Sequence, residues 1–94
     1  MKKYVIEREI PKIGSLTPEQ LQAGAAKSNE ALRKLGPDIQ WQESYVTADK
    51  LFCVYLAENE EIVKQHANVS GFPATKITEV KAVIDPTTAA NGMK

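Results

Sequence analysis

The sequence predicts one α+β domain whose elements follow the order β-α-β-β-α-β. Two segments carry apolar residues at the spacing of amphipathic helices, and they alternate with segments rich in β-branched and aromatic residues. The chain has 94 residues, enough to bury roughly two-thirds of its unfolded surface in a single core. No internal repeat, linker or low-complexity segment divides it. We therefore expect one domain over residues 1–90 and a frayed tail at 91–94.

The first half of the chain contains a strand and a well-marked helix. Residues 3–10 form a run rich in β-branched and aromatic side chains that a proline ends, which is typical of a strand. The helix begins with Thr17 as its N-cap, Pro18 in the first helical position and Gln20 where a capping box requires it. The residues of its inward stripe follow steps of four and three: Leu21, Ala25, Ser28, Leu32 and Leu35.

The second half of the chain predicts a hairpin, a helix and a last strand. Residues 38–56 contain two β-rich runs around the polar turn 47–50. Asn59 can cap a second helix that ends at Gly71, and residues 77–84 form the fourth strand. The inward face of the second helix would carry Ile62, Val63, His66 and Val69.

This element order is that of the ferredoxin-like fold, a four-stranded antiparallel sheet with both helices on one face. A turn centred on residues 48–49 pairs Ser44 with Cys53, so these two side chains share a face. The set expected on the open face is Gln40, Gln42, Ser44, Val46, Leu51, Cys53 and Tyr55. The set expected beneath the helices is Ile39, Trp41, Tyr45, Phe52, Val54 and Leu56. A one-residue error in the turn would exchange the two sets.

The open face is expected to be partly apolar, and such a face is usually covered. It can pair with the sheet of a second copy, giving a homodimer of the dimeric α+β-barrel type. It can also line a pocket for a small-molecule ligand between the two sheets. Plain exposure to water is the alternative, since apolar atoms contribute about half of any protein surface.

Composition excludes several partner classes and indicates a compartment. Twelve Lys and Arg balance twelve Asp and Glu, so no net charge draws the chain to nucleic acid or to an anionic membrane. No run is long enough and apolar enough to span a bilayer. Cys53 is the single cysteine and cannot form an intrachain disulfide, which is typical of a reducing compartment. We expect a cytoplasmic protein with no nucleic-acid or membrane partner.

Three side chains are candidates for chemistry. Glu7, Cys53 and His66 offer oxygen, sulfur and nitrogen donors, a mixture suited to nickel, zinc or copper, although their spacing is not that of a specific metal signature. Each also has a structural interpretation. Cys53 fits a small buried hydrophobe, His66 a core histidine with one hydrogen bond, and Glu7 a solvated carboxylate at a strand edge.

The chain resembles, over residues 4–89, a family of small bacterial proteins long described as a domain of unknown function and now labelled nickel-binding after a Streptomyces member. The matching segments lie at 4–11, 44–57, 66–67, 71–74 and 84–89. The strand that contains Cys53 and the ending Asp-Pro-Thr-Thr-Ala are the most specific of these. The resemblance implies a ferredoxin-like subunit, a homodimer and a bound Ni²⁺ ion. The candidate metal ligands, which match the family pattern and have suitable chemistry, are Glu7, Ser44, Cys53 and His66.

The resemblance favours a nickel-binding or other divalent-metal-binding homodimer of the cytoplasm, with a role in metal storage, buffering or sensing. The alternative is an enzyme or small-molecule binder of the dimeric α+β-barrel type. In that alternative, Glu7, Tyr55 or His66 transfers protons in a pocket between the two sheets. A third interpretation is a structural or regulatory dimer without a site. The sequence does not decide whether the protein is an enzyme, and it names no substrate.

Overall fold

The computed structural model describes residues 1–92 and shows the ferredoxin-like α+β fold. The strands are β1 (Lys2–Glu9), β2 (Ile39–Val46), β3 (Lys50–Ala57) and β4 (Lys76–Val80). The helices are α1 (Pro18–Leu35), α2 (Glu60–Ser70) and the short α3 (Thr88–Asn91), with a 3-10 turn over Ile13–Ser15. The predicted order β-α-β-β-α-β is confirmed, and α3 follows its last strand.

The four strands form one antiparallel sheet in the order β2-β3-β1-β4, so β1 and β3 lie at its centre. In β1, Tyr4, Ile6 and Arg8 are buried and the residues between them are less so, as expected for a strand with one covered face. The helix α1 packs against α2 and β2, and α2 packs against β3, so both helices cover that face. We call this face the helix side of the sheet and the opposite face the open side.

The helix ends lie at the residues that the sequence indicates. Thr17 Oγ1 accepts a hydrogen bond from the backbone N–H of Gln20 (3.2 Å), and Gln20 Oε1 accepts one from the N–H of Thr17 (2.9 Å). At the start of α2, Asn59 Oδ1 accepts a hydrogen bond from the N–H of Ile62 (3.0 Å). Gly71 follows α2 with a φ of 77°, a left-handed conformation that favours glycine.

The core lies between the helix side of the sheet and the two long helices. Its most buried apolar members are Tyr4, Ile6, Ile39, Cys53, Tyr55, Ala57 and Val63. His66 is buried on α2 as predicted, but Val69 is 44% exposed, so the prediction that it faces inward is wrong. Ala67 and Ser70 take the inward positions instead, because they continue the helical stripe from Val63 at steps of four and three.

The prediction of which hairpin residues face the helices is wrong for most of the hairpin. Ser44 does pair with Cys53, but both lie on the helix side, where Cys53 and Tyr55 are almost fully buried. A β-bulge between Trp41 and Glu43 shifts β2 by one residue, so Trp41 pairs with Tyr55 and lies on the helix side together with Ser44. The open side instead carries Tyr45, Phe52, Val54 and Leu56.

The last strand is shorter than predicted, and a helical turn follows it. The strand β4 ends at Val80 and not at Ile84, and both Val83 and Ile84 are exposed. Asn91 is the last residue of α3. Residues 93–94 of the predicted tail lie outside the described residues, so its fraying stays a prediction. Within residues 1–92, no helix is long and apolar enough to cross a membrane.

Gly14 in the 3-10 turn and Gly24 in α1 provide a contrasting pair of packing tests. A Cβ at Gly14 would lie 2.7 Å from the carbonyl oxygen of Thr47, whereas a Cβ at Gly24 would meet only Cζ of Phe72, at 3.8 Å. We expect Gly14→Ala to lower the free energy of unfolding by about 1 to 3 kcal/mol, because the clash is with backbone. Gly24→Ala should raise it by about 0.5 to 1 kcal/mol, because alanine favours the helix. Urea denaturation measures both values, and shifts of the same sign would contradict this packing.

Candidate functional site

A cavity of about 230 Å³ lies between α1 and the helix side of the sheet, and we call it the helix-side cavity. Its walls are mainly apolar and include Leu21 and Ala25 of α1, Trp41 and Leu51 of the sheet, and Phe72. The polar side chains that line it are Arg8, Gln20, Ser28, Ser44 and Tyr55, together with the thiol of Cys53. An apolar wall with a few polar groups is typical of a small-molecule site.

Arg8 is a charged side chain in a central strand, and it is only 1% exposed. It lies on the helix side because it follows Tyr4 and Ile6 at steps of two along β1. Its Nη1 donates hydrogen bonds to the carbonyl oxygens of Pro73 (2.7 Å) and Phe72 (3.3 Å). Its Cζ lies 5.9 Å from the centre of the Phe72 ring, within the range of a cation–π contact. These contacts join the loop after α2 to β1.

The other donors of Arg8 are unsatisfied. Nε and Nη2 are buried and have no hydrogen-bond partner among the described residues. The salt bridges formed within residues 1–92 all use lysines, so none of them neutralises Arg8. Arginine stays charged in proteins, and a buried donor without a partner costs about 1 to 3 kcal/mol. Arg8 is therefore a buried positive charge beside the cavity, and two of its donor atoms have no partner within residues 1–92.

His66 lies on α2 and contacts the sheet through Tyr55. Its Nε2 is 2.9 Å from the Tyr55 hydroxyl and 3.3 Å from the Ser28 hydroxyl. The centres of the His66 and Tyr55 rings are 5.0 Å apart. The Nδ1 of His66 is buried without a hydrogen-bond partner in the described part of the chain. Burial, helped by the positive charge of Arg8, lowers the pKa of His66 from 6.5 to about 4. His66 is therefore uncharged at neutral pH.

Tyr55 connects His66 to the cavity. Burial raises the pKa of Tyr55 above its usual 10.0, and the neighbouring Cys53 adds to this effect. The positive charge of Arg8 acts on the same pKa in the opposite direction. Tyr55 keeps its proton at neutral pH and is a hydrogen-bond donor. We call Arg8, Ser28, Tyr55 and His66 the Arg8 cluster.

The structure separates the residues predicted as metal ligands. Ser44 and Cys53 are cross-strand neighbours, and both line the helix-side cavity. His66 lies on the same side of the sheet, on α2, but is not among the described residues that line the cavity. Glu7 lies on the open side, where Lys50 Nζ donates a hydrogen bond to its Oε1 at 2.8 Å. This hydrogen bond lowers the pKa of Glu7.

These residues do not fit a metal ion within one chain. Among residues 1–92, no group of three or more His, Cys, Asp or Glu side chains is close enough to hold one. Ser44 Oγ already accepts a hydrogen bond from Trp41 Nε1 at 2.9 Å. The charge of Arg8 at the cavity also repels a cation. The role of Glu7, Ser44, Cys53 and His66 as metal ligands therefore stays a prediction that one chain does not support.

Arg8 was missed by sequence reasoning, although β1 contains a signal for it. Tyr4 and Ile6 set the buried parity of this strand, and Arg8 continues that parity by one further step of two. The same parity places Glu7 on the open side. Ser28 was predicted on the inward stripe of α1, but its contact with the second helix cannot be inferred from the stripe alone.

Comparison with known proteins gives a family and a fold. A family model described as nickel responsive protein SCO4226-like matches residues 4–80. The crystal structure of SCO4226 from Streptomyces coelicolor A3(2) is similar, with a TM-score of 0.73 and 13% identity, covering 87% of this chain and 99% of that chain. At this identity, the likeness shows the fold alone. No match was found among curated proteins.

The low pKa of His66 makes stability depend on pH in a defined window. The unfolded chain takes up a proton on this histidine below about pH 6.5, whereas the folded chain does so only near a pKa of about 4. The free energy of unfolding should therefore be highest above pH 6.5 and fall by about 2 kcal/mol between pH 6.5 and 5.

His66→Gln is the control for this prediction. His66 is the single histidine in the sequence, so replacing it removes the group that titrates in this window. The variant should show a nearly flat pH dependence between pH 6.5 and 5, whatever its absolute stability. Urea denaturation at several pH values measures both curves, and equal slopes in wild type and variant would contradict a neutral, buried His66.

Proposed function

Since the chain belongs to the family of nickel responsive proteins like SCO4226, we propose that it is a ligand-binding protein and that the helix-side cavity is its binding site. One observation carries this proposal: about 230 Å³ of space, walled by apolar side chains, is formed within a single chain. Protein cores are densely packed and contain few voids larger than a water molecule. A cavity with an apolar wall and a few polar groups is more typical of a binding site than of a core.

The cavity suits a small molecule of about one ring. An apolar cavity of about 150 Å³ admits benzene, so this cavity has room for a ring with a polar substituent. Gly24 and Ala25 form part of the α1 wall, and neither fills the space with a long side chain. The hydroxyls of Ser28, Ser44 and Tyr55 line the same space and can orient a polar group of the ligand.

The geometry favours binding over proton transfer. Tyr55 is a protonated phenol because its pKa is raised. The Nε2 of His66 is already within hydrogen-bond distance of two hydroxyls, those of Tyr55 and Ser28. Glu7, the third residue considered for proton transfer, lies on the open side and is paired with Lys50. The cavity also lies within one chain, so ligand binding does not require a pocket between two sheets.

A second candidate function is the binding of nickel or another divalent metal by a homodimer, for storage, buffering or sensing. The description of the family supports it. Ser44 and Cys53, side by side in the cavity, offer two of the donors. Because one chain does not bring His66 and Glu7 to them, a metal would need further donors from a small molecule or a second copy. This candidate makes Cys53 necessary for nickel binding, whereas the cavity proposal does not.

Filling the cavity tests the first proposal. Ala25 lines the cavity from α1, whereas its neighbour Ala26 is exposed. We expect two neutral one-ring molecules, benzyl alcohol and benzamide, to shift the NMR signals of cavity residues in the wild type and in Ala26→Leu. They should bind Ala25→Leu at least about tenfold more weakly, because the leucine side chain occupies the space. Unchanged binding to Ala25→Leu, or no binding to the wild type, would contradict the proposal.

Nickel chloride, titrated into the same untagged protein, separates the second candidate from the first. Metal binding through the cavity donors requires Cys53→Ser to bind nickel more weakly than the wild type does. If only the cavity proposal is correct, the wild type and Cys53→Ser should have the same affinity for nickel. Cys53→Ser should also still bind benzamide.

The open side of the sheet supports a proposal about assembly. Its apolar side chains include Val5, Phe52 and Val54 in the two central strands, and Tyr45 beside them is 55% exposed. An apolar sheet face is usually covered by another layer of structure. We propose that a second copy of the chain covers it, giving a homodimer of the dimeric α+β-barrel type.

Charging the open side tests this assembly. Val54→Lys places a charge at the centre of the proposed interface, and Asn29→Lys places the same charge on the exposed surface of α1. We expect the wild type and Asn29→Lys to sediment with twice the mass of the chain at micromolar concentration, and Val54→Lys to shift toward the monomer. A monomeric wild type, or a dimeric Val54→Lys, would contradict the interface.

A further inference from the structure

The guanidinium of Arg8 has one complete edge without a partner. Its Nη1 donates to the carbonyl oxygens of Phe72 and Pro73, whereas Nε and Nη2 have no partner among the described residues. Nε and Nη2 are neighbours on the lateral edge of the planar group, and their N–H bonds point in the same direction. Such an edge matches the two oxygens of a carboxylate in a bidentate pair.

No carboxylate of the described chain neutralises this edge. The cavity lining around Arg8 contains no Asp or Glu among residues 1–92. Glu7 and Glu9, its neighbours in sequence, have the opposite parity in β1 and lie on the open side. Glu7 is paired there with Lys50. The positive charge under α1 is therefore matched by no negative charge within residues 1–92.

A buried charge without a counter-charge is costly, and the surroundings of Arg8 offset only part of the cost. Two carbonyl oxygens accept from Nη1, and the ring of Phe72 lies over the guanidinium. Nε and Nη2 are themselves buried, so solvent supplies them with neither acceptors nor charge. An anion at the same edge supplies both the acceptors and the missing charge.

We propose that the helix-side cavity binds a small organic carboxylate, which the Nε and Nη2 edge of Arg8 holds in a bidentate pair. This inference rests on the proposed role of the cavity as the binding site. Ser28 and Tyr55 line the same cavity, and a hydroxyl of this pair that does not donate to His66 Nε2 can donate to the polar end of the ligand. The apolar wall, which includes Leu21 and Trp41, covers its body. An inorganic oxyanion would satisfy Arg8 but leave that wall without a partner.

Benzoate and benzamide form a matched pair of probes for this proposal. They have nearly the same size and shape, but only benzoate is negatively charged at pH 7 and offers two equivalent acceptor oxygens. Protein-observed NMR titrations give the dissociation constant of each probe, with inorganic phosphate as a third. We expect the wild type to bind benzoate about tenfold or more tightly than benzamide, because bonds between charged groups are the stronger ones. Phosphate should bind more weakly than benzoate.

Substitution of Arg8 identifies the group that recognises the charge. Arg8→Met removes the charge and the donors but keeps an apolar side chain of similar length, so the preference for benzoate should disappear and the two probes should bind the variant with equal affinity. Arg8→Lys keeps the charge without the bidentate edge and should give an intermediate preference. Arg33→Met, at an exposed arginine of α1, should leave both affinities unchanged.

The outcomes separate this inference from the proposed function. Equal affinities for benzoate and benzamide in the wild type overturn the carboxylate proposal and leave the cavity as a binding site. Binding of neither probe overturns both proposals. Phosphate that binds as tightly as benzoate overturns the requirement for an apolar body. Thermal melts show whether Arg8→Met is folded. If it is not, the preference for benzoate over benzamide is compared between the wild type and Arg8→Lys, and an equal preference would overturn the bidentate pair.

Discussion

Arg8 carries a positive charge beneath two helices, and several contacts around the cavity depend on that charge. Its Nη1 holds the loop that follows α2 through the carbonyl oxygens of Phe72 and Pro73. The same charge disfavours a proton on His66, which together with burial keeps the imidazole neutral and within hydrogen-bond distance of Tyr55. Nε and Nη2 have no partner among residues 1–92, and the side chains described around the cavity supply no negative charge. The selectivity of the cavity for anions follows from this imbalance.

The elements of the fold could be predicted from the sequence because their signals are local. The capping box of Thr17 and Gln20 and the N-cap at Asn59 each involve residues within one helical turn, and the hairpin turn determines the pairing of Ser44 with Cys53. The choice of the covered face is not local. It depends on a bulge that shifts β2 and on contacts from helices distant in sequence. The rule that the more apolar set is buried failed here, because the buried set contains hydroxyls and a guanidinium, whereas the open side is apolar.

The sequence predicted part of the site, but it did not predict the buried positive charge of Arg8. The prediction that Ser44 and Cys53 share a face is correct, because the turn of the hairpin makes them a cross-strand pair. Donor chemistry and the family resemblance together then suggested a metal, because sulfur, nitrogen and oxygen ligands are present in the chain. The balance of twelve basic and twelve acidic residues describes the whole chain and says nothing about where one unpaired charge lies. Only the parity of β1, read together with the covered face, places Arg8 at the cavity and Glu7 away from it.

The sign of this charge distinguishes the two ligand classes more sharply than the donor atoms do. At an effective dielectric constant of about 20, two unit charges about 4 Å apart interact by about 4 kcal/mol, and a doubly charged ion doubles that value. Arg8 repels a divalent cation at this distance with the doubled energy. It attracts a carboxylate with the energy of two unit charges. Thiol and hydroxyl groups such as those of Cys53 and Ser44 do not offset such repulsion while they keep their protons. A nickel ion in this cavity would therefore require a negative charge that balances Arg8, either from a bound anion or from the Cys53 thiolate that forms when the thiol loses its proton to bind a metal.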